Sequence, residues 1–176
     1  MVGGGGLEVD RLDPRRLLVR AMTAADVTRV AALERSIFPD AWSRGAFLQE
    51  VEGGSHGFPV VLTDGPRILA YMVSWIIADE THLGNIAVAP EARRKGLAQR
   101  LLDVLIERSR ERGSRLITLE VRRSNRAARA LYEKYGFYPA MVRRAYYSNN
   151  GEDAVVMVKM LTRMGPVPPR VNVDDR

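Results

Sequence analysis

Residues 68–78, ILAYMVSWIIA, run for eleven positions with a single serine and no charge. A strand this apolar has no face to offer water, so it belongs at the centre of a sheet packed on both sides. Phe58–Thr63 reads as the preceding strand, and Asp64-Gly65-Pro66 has the composition of the turn between them. Such a strand demands a sizeable core. The chain's 176 residues, 46% of them hydrophobic, suit one domain with enough interior to cover it.

Helical and strand periodicities alternate around this centre. Leu17–Arg20 is the first expected strand. Thr23 has the look of a helix N-cap, with Asp26 completing an approximate capping box, and Val27, Val30, Ala31, Leu33 and Ile37 form an apolar stripe up to Phe38 and the stop at Pro39. Ser43 caps a second helix through Phe47 and Leu48 to Gly53-Gly54. A strand at His82–Val88 follows, then a helix from Gly96 whose Leu97, Ala98, Leu101, Leu102, Leu105, Ile106 and Ser109 share one side, with Gly113 as its stop. Arg115–Val121 alternates with period two, setting Ile117, Leu119 and Val121 against Leu116, Thr118, Glu120 and Arg122. Ser124 or Asn125 starts the next helix, which ends at Gly136; strands at Phe137–Tyr147 and Ala154–Leu161 flank the hairpin signal Ser148-Asn149-Asn150-Gly151. The order predicts one mixed α/β domain over 16–161, with a flexible leader at 1–15 and a Pro-rich flexible tail at 162–176.

Composition narrows the chemistry. The chain has no cysteine, which removes disulfides, thiolate metal sites and cysteine nucleophiles. His56 and His82, the two histidines, lack ligand spacing, so no metal is expected. No apolar run reaches membrane-spanning length and the N-terminus has no secretory pattern, so a cytoplasmic protein with no membrane partner is expected. Net charge is +6, but residues 93–144 hold 15 Lys or Arg against five Asp or Glu. That segment should face an anion, either a nucleic acid or a phosphorylated cofactor. No helix-turn-helix, zinc or RNP signature supports the nucleic acid, and no direct nucleic-acid role is expected.

The segment NIAVAPEARRKGLAQRLL, residues 85–102, places a strand end, a Pro-containing loop and Arg93-Arg94-Lys95-Gly96 directly before an amphipathic helix. Gly96 permits close backbone approach, and free N–H groups at a helix start bind phosphate oxygens. A solvated basic turn is the plainer reading of those four residues alone. In context the segment resembles the Q/R-x-x-G-x-G/A motif of the GNAT acyltransferases, matched by Arg93, Gly96 and Ala98, with Ala98 at the position where glycine is more frequent. FPDAWS at 38–43, LEVRRSNRAARALYEKYGF at 119–137 and RRAYY at 143–147 narrow the resemblance to the RimI group of bacterial ribosomal-protein N-terminal alanine acetyltransferases. It covers roughly residues 17–161. It implies a single mixed-sheet GNAT domain with helices on both faces and acetyl-coenzyme A as acetyl donor. The implied cofactor contacts are the backbone of Ile86, Ala87 and Val88, the turn Arg93, Arg94, Lys95, Gly96, Leu97, Ala98 and Gln99, and Asn125. The implied acceptor is a protein N-terminus, that of a small-subunit ribosomal protein. Lysine side chains or small-molecule amines are the alternative acceptors.

Acetyl transfer needs a neutral amine, a polarised thioester and a proton for the departing thiolate, and an α-amine near pKa 8 is easier to neutralise than a lysine near 10.4. Glu120 sits opposite Leu119 and Val121 near a strand end. Buried there, its raised pKa would suit it to accept the amine proton; paired with Arg122 or another arginine, it would be structural. Tyr132 could supply the proton to the thiolate or merely anchor its helix. The resemblance assigns Glu120 as proton acceptor and Tyr132 as donor. On the acceptor side, Trp42 either lines a groove or pins two helices, and Tyr146 and Tyr147 either approach that groove or pack the last hairpin. Asp40, Glu50, Asp79 and Glu80 are candidates to attract a basic peptide, or else plain surface acids, and Trp75 reads as core.

Overall fold

Among the residues described by the computed structural model (16–53, 56–162 and 167–173), seven strands form one sheet. They are β1 (Leu17–Ala21), β2 (Val60–Asp64), β3 (Arg67–Ile77), β4 (Glu80–Val88), β5 (Leu116–Arg122), β6 (Tyr138–Tyr147) and β7 (Glu152–Met160), in the spatial order β1-β2-β3-β4-β5-β7-β6. The apolar run is indeed interior: Leu69 to Ser74 of β3 are buried, with β2 on one side and β4 on the other. Every neighbouring pair is antiparallel except β4 and β5. The expected leader at 1–15 lies outside the described residues.

Helices cover both faces, as the α/β pattern predicts. On one side α3 (Leu97–Glu111) lays Leu101, Leu102 and Leu105 over Leu62, Met72, Ile117 and Leu119, and α4 (Arg126–Lys134) adds Tyr132. The period-two reading of β5 holds, because Ile117, Leu119 and Val121 all enter this core. On the other side α1 (Val27–Ile37) and α2 (Arg44–Glu52) bring Val27, Val30, Ala31 and Phe47 onto Val61, Tyr71 and Val73. Glycine sets the end of α3: Gly113 takes φ +76°, its N–H donates to Arg110 O, and Ser114 N–H reaches back to Ser109 O. That pair of bonds satisfies carbonyls the last turn would leave open.

Two local expectations change. Thr23 is not the cap of α1; the helix begins at Val27 and Asp26 occupies the capping position. Asp26 is drawn backwards by Arg20, whose Nη1 and Nη2 donate at 2.6 and 2.8 Å, and by the N–H and hydroxyl of Thr23 at 2.9 and 2.8 Å. The carboxylate therefore makes the backward half of the expected box, accepting from the Thr23 N–H, and also ties β1 to the turn through Arg20. Residues 167–173, within the segment expected as a tail, lie against the domain: Val171 N–H donates to Pro139 O, Arg123 to Val173 O, and Val173 is buried.

Candidate active site

The parallel pairing of β4 with β5 runs only from Glu80↔Leu116 to Leu83↔Leu119. Beyond it each strand keeps its outer partner, β4 on β3 to Val88 and β5 on β7 to Arg122, so the two separate like an opened V. From Gly84 to Val88 one edge of β4 has no strand beside it, and its peptide groups face the gap. A cleft open to solvent occupies that gap. Gly84, Asn85 and Ile86 form one wall, Glu120 and Arg122 the other, with Asn125, Ala128 and Tyr132 of α4 below.

The groove continues past Ala87, Val88 and Asn125 to Arg93. There the backbone turns sharply, with Arg94 at φ +61° and Gly96 at φ +79°. A left-handed arginine costs about 1–2 kcal/mol, a strain typical of ligand-holding turns. Gly96 caps α3, and its carbonyl accepts from Arg100, so the N–H groups of Leu97, Ala98 and Gln99 have no acceptor one turn back. Leu97 is buried and anchors the helix start, while Arg93 Nε donates to Val88 O at 3.3 Å and braces the turn. This cradle of amides at a positive helix end, reached by a groove with an unpaired strand edge, fits a diphosphate carrying an extended amide chain. Among the described residues, no group of three or more His, Asp or Glu side chains could hold a metal.

Tyr132 and Glu120 both line the cleft at the fork. Asn125 Oδ1 accepts from Ala128 N–H at 3.1 Å and starts α4, and Tyr132 follows one turn after the small Ala128. Burial, then the nearby Tyr147, push the Tyr132 hydroxyl above the usual phenol range, so it stays protonated. Glu120 corrects an expectation. Its side chain is 12% exposed, yet its pKa lies below the ordinary carboxylate value, not above. A hydrogen bond from His82 is the largest cause, burial opposes it, and the charge of Arg143 adds to the lowering, as does His82 when it carries a proton on both nitrogens. Oε2 lies 3.2 Å from His82 Nε2 and Oε1 3.0 Å from Arg143 Nη1.

Arg122, considered as a partner for Glu120, instead pairs with Asp40 at 2.8 Å and Glu152 at 3.1 Å and stacks on the Tyr147 ring at 3.7 Å. It thereby clamps the α1–α2 loop and the last hairpin to the cleft rim. Burial is the main cause raising the Tyr147 hydroxyl to about 12. Tyr147 and Asp40 line the cleft; Tyr146, 45% exposed, stands outside it, edge-on to Tyr147. Trp42 both lines the cleft and packs, its ring 5.5 Å from Phe47 and 6.1 Å from Trp75. Trp75 is half-buried rather than core, and its Nε1 donates to Glu50 at 2.6 Å. Asp79 and Glu80 lie at the far end of β4 and bind Arg115, away from the cleft.

Two groups escaped the sequence reading. His82 was weighed only as a metal ligand, because its approach to Glu120 depends on strand register. Glu34 carried a visible signal: it occupies the apolar stripe after Val27, Val30 and Ala31. Buried, it accepts from Trp42 N–H and Asn85 Nδ2, each at 3.0 Å, and from the Tyr71 hydroxyl. One carboxylate thus holds the acceptor-side loop, β4 and β3 together. Within the basic segment, Arg115, Arg122, Arg123, Arg143 and Arg144 pair with carboxylates.

Comparison with known proteins agrees with this geometry. The model of the acetyltransferase (GNAT) family matches residues 27–137. The [ribosomal protein bS18]-alanine N-acetyltransferase of Escherichia coli is 35% identical over 141 residues, 79% of this chain and 94% of that protein. The corresponding Haemophilus influenzae protein is 33% identical over 143 residues, 80% and 96% of the two chains. The crystal structure of the Escherichia coli ribosomal-protein-S18-alanine N-acetyltransferase superposes with a TM-score of 0.77 at 33% identity, covering 85% of this chain and 96% of that one. With its forked parallel pair and amide cradle, the chain belongs to the GNAT family as an acetyl-coenzyme A-dependent N-acetyltransferase related to the bS18-alanine acetyltransferases.

Proposed function

We propose that the chain acetylates a protein N-terminus, that of the N-terminal alanine of a small-subunit ribosomal protein, with Glu120 accepting a proton and Tyr132 donating one. The observation that carries this reading is the fork itself. Both groups line one cleft, and the groove beyond it runs on to Arg93, where the turn before α3 begins. The acceptor assignment is supported by the names of the relatives, which are ribosomal protein bS18-alanine N-acetyltransferases.

Acetyl-coenzyme A supplies an activated acetyl thioester. The turn at Arg93–Gln99 and the open edge of β4 hold and orient it, with the thioester end toward Tyr132. An α-ammonium loses two protons on becoming an amide: one goes to the coenzyme A sulfur, the other to solvent. Tyr132 hydrogen-bonds the departing sulfur and can supply its proton. Burial that makes the phenol a weaker acid also makes a thiolate in the same pocket a stronger base, so the two remain matched. Glu120 stays ionised at neutral pH. It therefore receives an N–H hydrogen bond at once, directly or through water, and carries the proton only transiently. Trp42, Tyr147 and Asp40 form the mouth through which a chain end enters.

The test is mass spectrometry of a peptide mixture after reaction with acetyl-coenzyme A. Modification of α-amines with alanine at the first position is expected. Modification confined to lysine side chains or to small amines would overturn the acceptor assignment.

A further inference from the structure

The Glu120 carboxylate is not alone on its face of the sheet. Trp75, His82 and Thr118 are register partners on three adjacent strands, β3, β4 and β5, so their side chains form one row across the sheet. Glu120 lies two residues beyond Thr118 on the same face of β5. Each member of the row fixes the imidazole. Thr118 Oγ1 lies 2.9 Å from Nδ1, the Trp75 ring stacks 5.6 Å from the imidazole at 18°, and Nε2 points at Glu120 Oε2. Gly84 is part of the device: a Cβ there would fall 2.1 Å from the Trp75 ring, so only glycine lets the indole lie in place.

Resting on the proposed role of Glu120 as proton acceptor, we propose that His82 is a positioning residue that sets the pH range of that carboxylate. Neutral, the imidazole donates through Nε2 and holds the carboxylate toward the cleft, while Nδ1 accepts from Thr118. Protonated, it puts a second cation on Glu120 opposite Arg143, and a carboxylate between two cations is a poor proton acceptor. His82 is 35% exposed, so protons can reach it from solvent. The charged and titratable groups facing this row are Glu120 on β5, Arg143 and Tyr147 on β6, Glu50 of α2 through Trp75, and Glu80 on β4.

The experiment is the pH profile of kcat/KM with an alanine-first peptide for wild type, His82→Gln and His82→Phe. The peptide amine alone gives a slope of one on the acid side; wild type should steepen to about two at lower pH, because His82 adds its own proton. His82→Gln keeps a donor but cannot charge, so it should stay at slope one and hold kcat at pH 8 to within about threefold of wild type. His82→Phe keeps the stack without the donor and should lose about tenfold in kcat at pH 8. A steep acid limb surviving in His82→Gln, or unchanged kcat in a folded His82→Phe, would overturn the proposal; should the Phe variant not fold, the Gln profile alone decides. Glu120→Gln, run alongside, separates the two claims. Full activity in Glu120→Gln removes the proton-acceptor assignment itself. An inactive Glu120→Gln beside an unaltered His82→Gln profile removes only the role of His82.

Discussion

Three side chains divide the proposed chemistry, and each has a distinct signature on substitution. Glu120→Gln removes the acceptor while keeping the size and one hydrogen-bonding oxygen, so kcat should fall about 100-fold or more with acetyl-coenzyme A affinity little changed. Because Glu120 lies below the ordinary carboxylate range, it should add no limb of its own to the rate profile above about pH 5. Tyr132→Phe removes only a hydroxyl from a buried ring and should lower kcat roughly 10- to 100-fold in a protein of normal stability. At the cofactor end, Arg94→Gly deletes the guanidinium yet relieves the left-handed strain at φ +61°. Calorimetry should show acetyl-coenzyme A binding about tenfold weaker if the side chain holds phosphate, since charge-assisted bonds of this kind are worth about 1.5–3 kcal/mol. Unchanged affinity would leave the backbone amides as the sole cradle. These residues were legible because they sit in short local motifs. His82 was not, since nothing within its own strand announces Thr118, Trp75 or Glu120 as neighbours.

The element that carries most of the acceptor side is α1, through one carboxylate. Glu34 satisfies donors from the α1–α2 loop, β4 and β3, so Glu34→Ala would strand a Trp42 N–H, an Asn85 amide and a Tyr71 hydroxyl. Unpaired buried donors cost about 1–3 kcal/mol each, so with three of them denaturant unfolding should show a loss of about 3 kcal/mol or more, together with a raised peptide KM. Unchanged stability would mean that water replaces the carboxylate and that the loop is held otherwise. Secondary-structure boundaries were readable to within two or three residues wherever a residue with a stated physical role marked them: Ser43, which accepts from Ala46 N–H, Asn125, Gly96 and Gly113. The Thr23 box is half made, with Asp26 accepting from the Thr23 N–H, and the same carboxylate also takes Arg20 from the neighbouring strand, a partner that local pattern cannot see.

Across the whole molecule, the sheet order and the fork are tertiary facts. The apolar run at 68–78 requires a central strand, but no residue states that β7 would insert between β5 and β6, or that β4 and β5 would part after Leu83 and Leu119. The ion pairs that join these parts predict acid sensitivity. Glu152 links β7 to the start of α4, and its pKa is lowered to about 2, chiefly by hydrogen bonding to Ser124. A depressed carboxylate stabilises the fold fully above its unfolded value, about 4.3, and that contribution fades as pH falls toward 2. Urea midpoints should therefore drop between pH 5 and 3, and Glu152→Gln should lower stability at pH 6 while showing a shallower drop. An equally steep drop in the variant would assign the acid sensitivity elsewhere. The central claim, that the fork and the Arg93–Gln99 turn form one binding track, is tested most directly by a crystal structure with coenzyme A. The account predicts the diphosphate on the amides of residues 94–99, the amide chain along the edge of β4 from Gly84 to Val88, and the sulfur within reach of Tyr132. A diphosphate bound elsewhere, with β4 and β5 closed on each other, would contradict it.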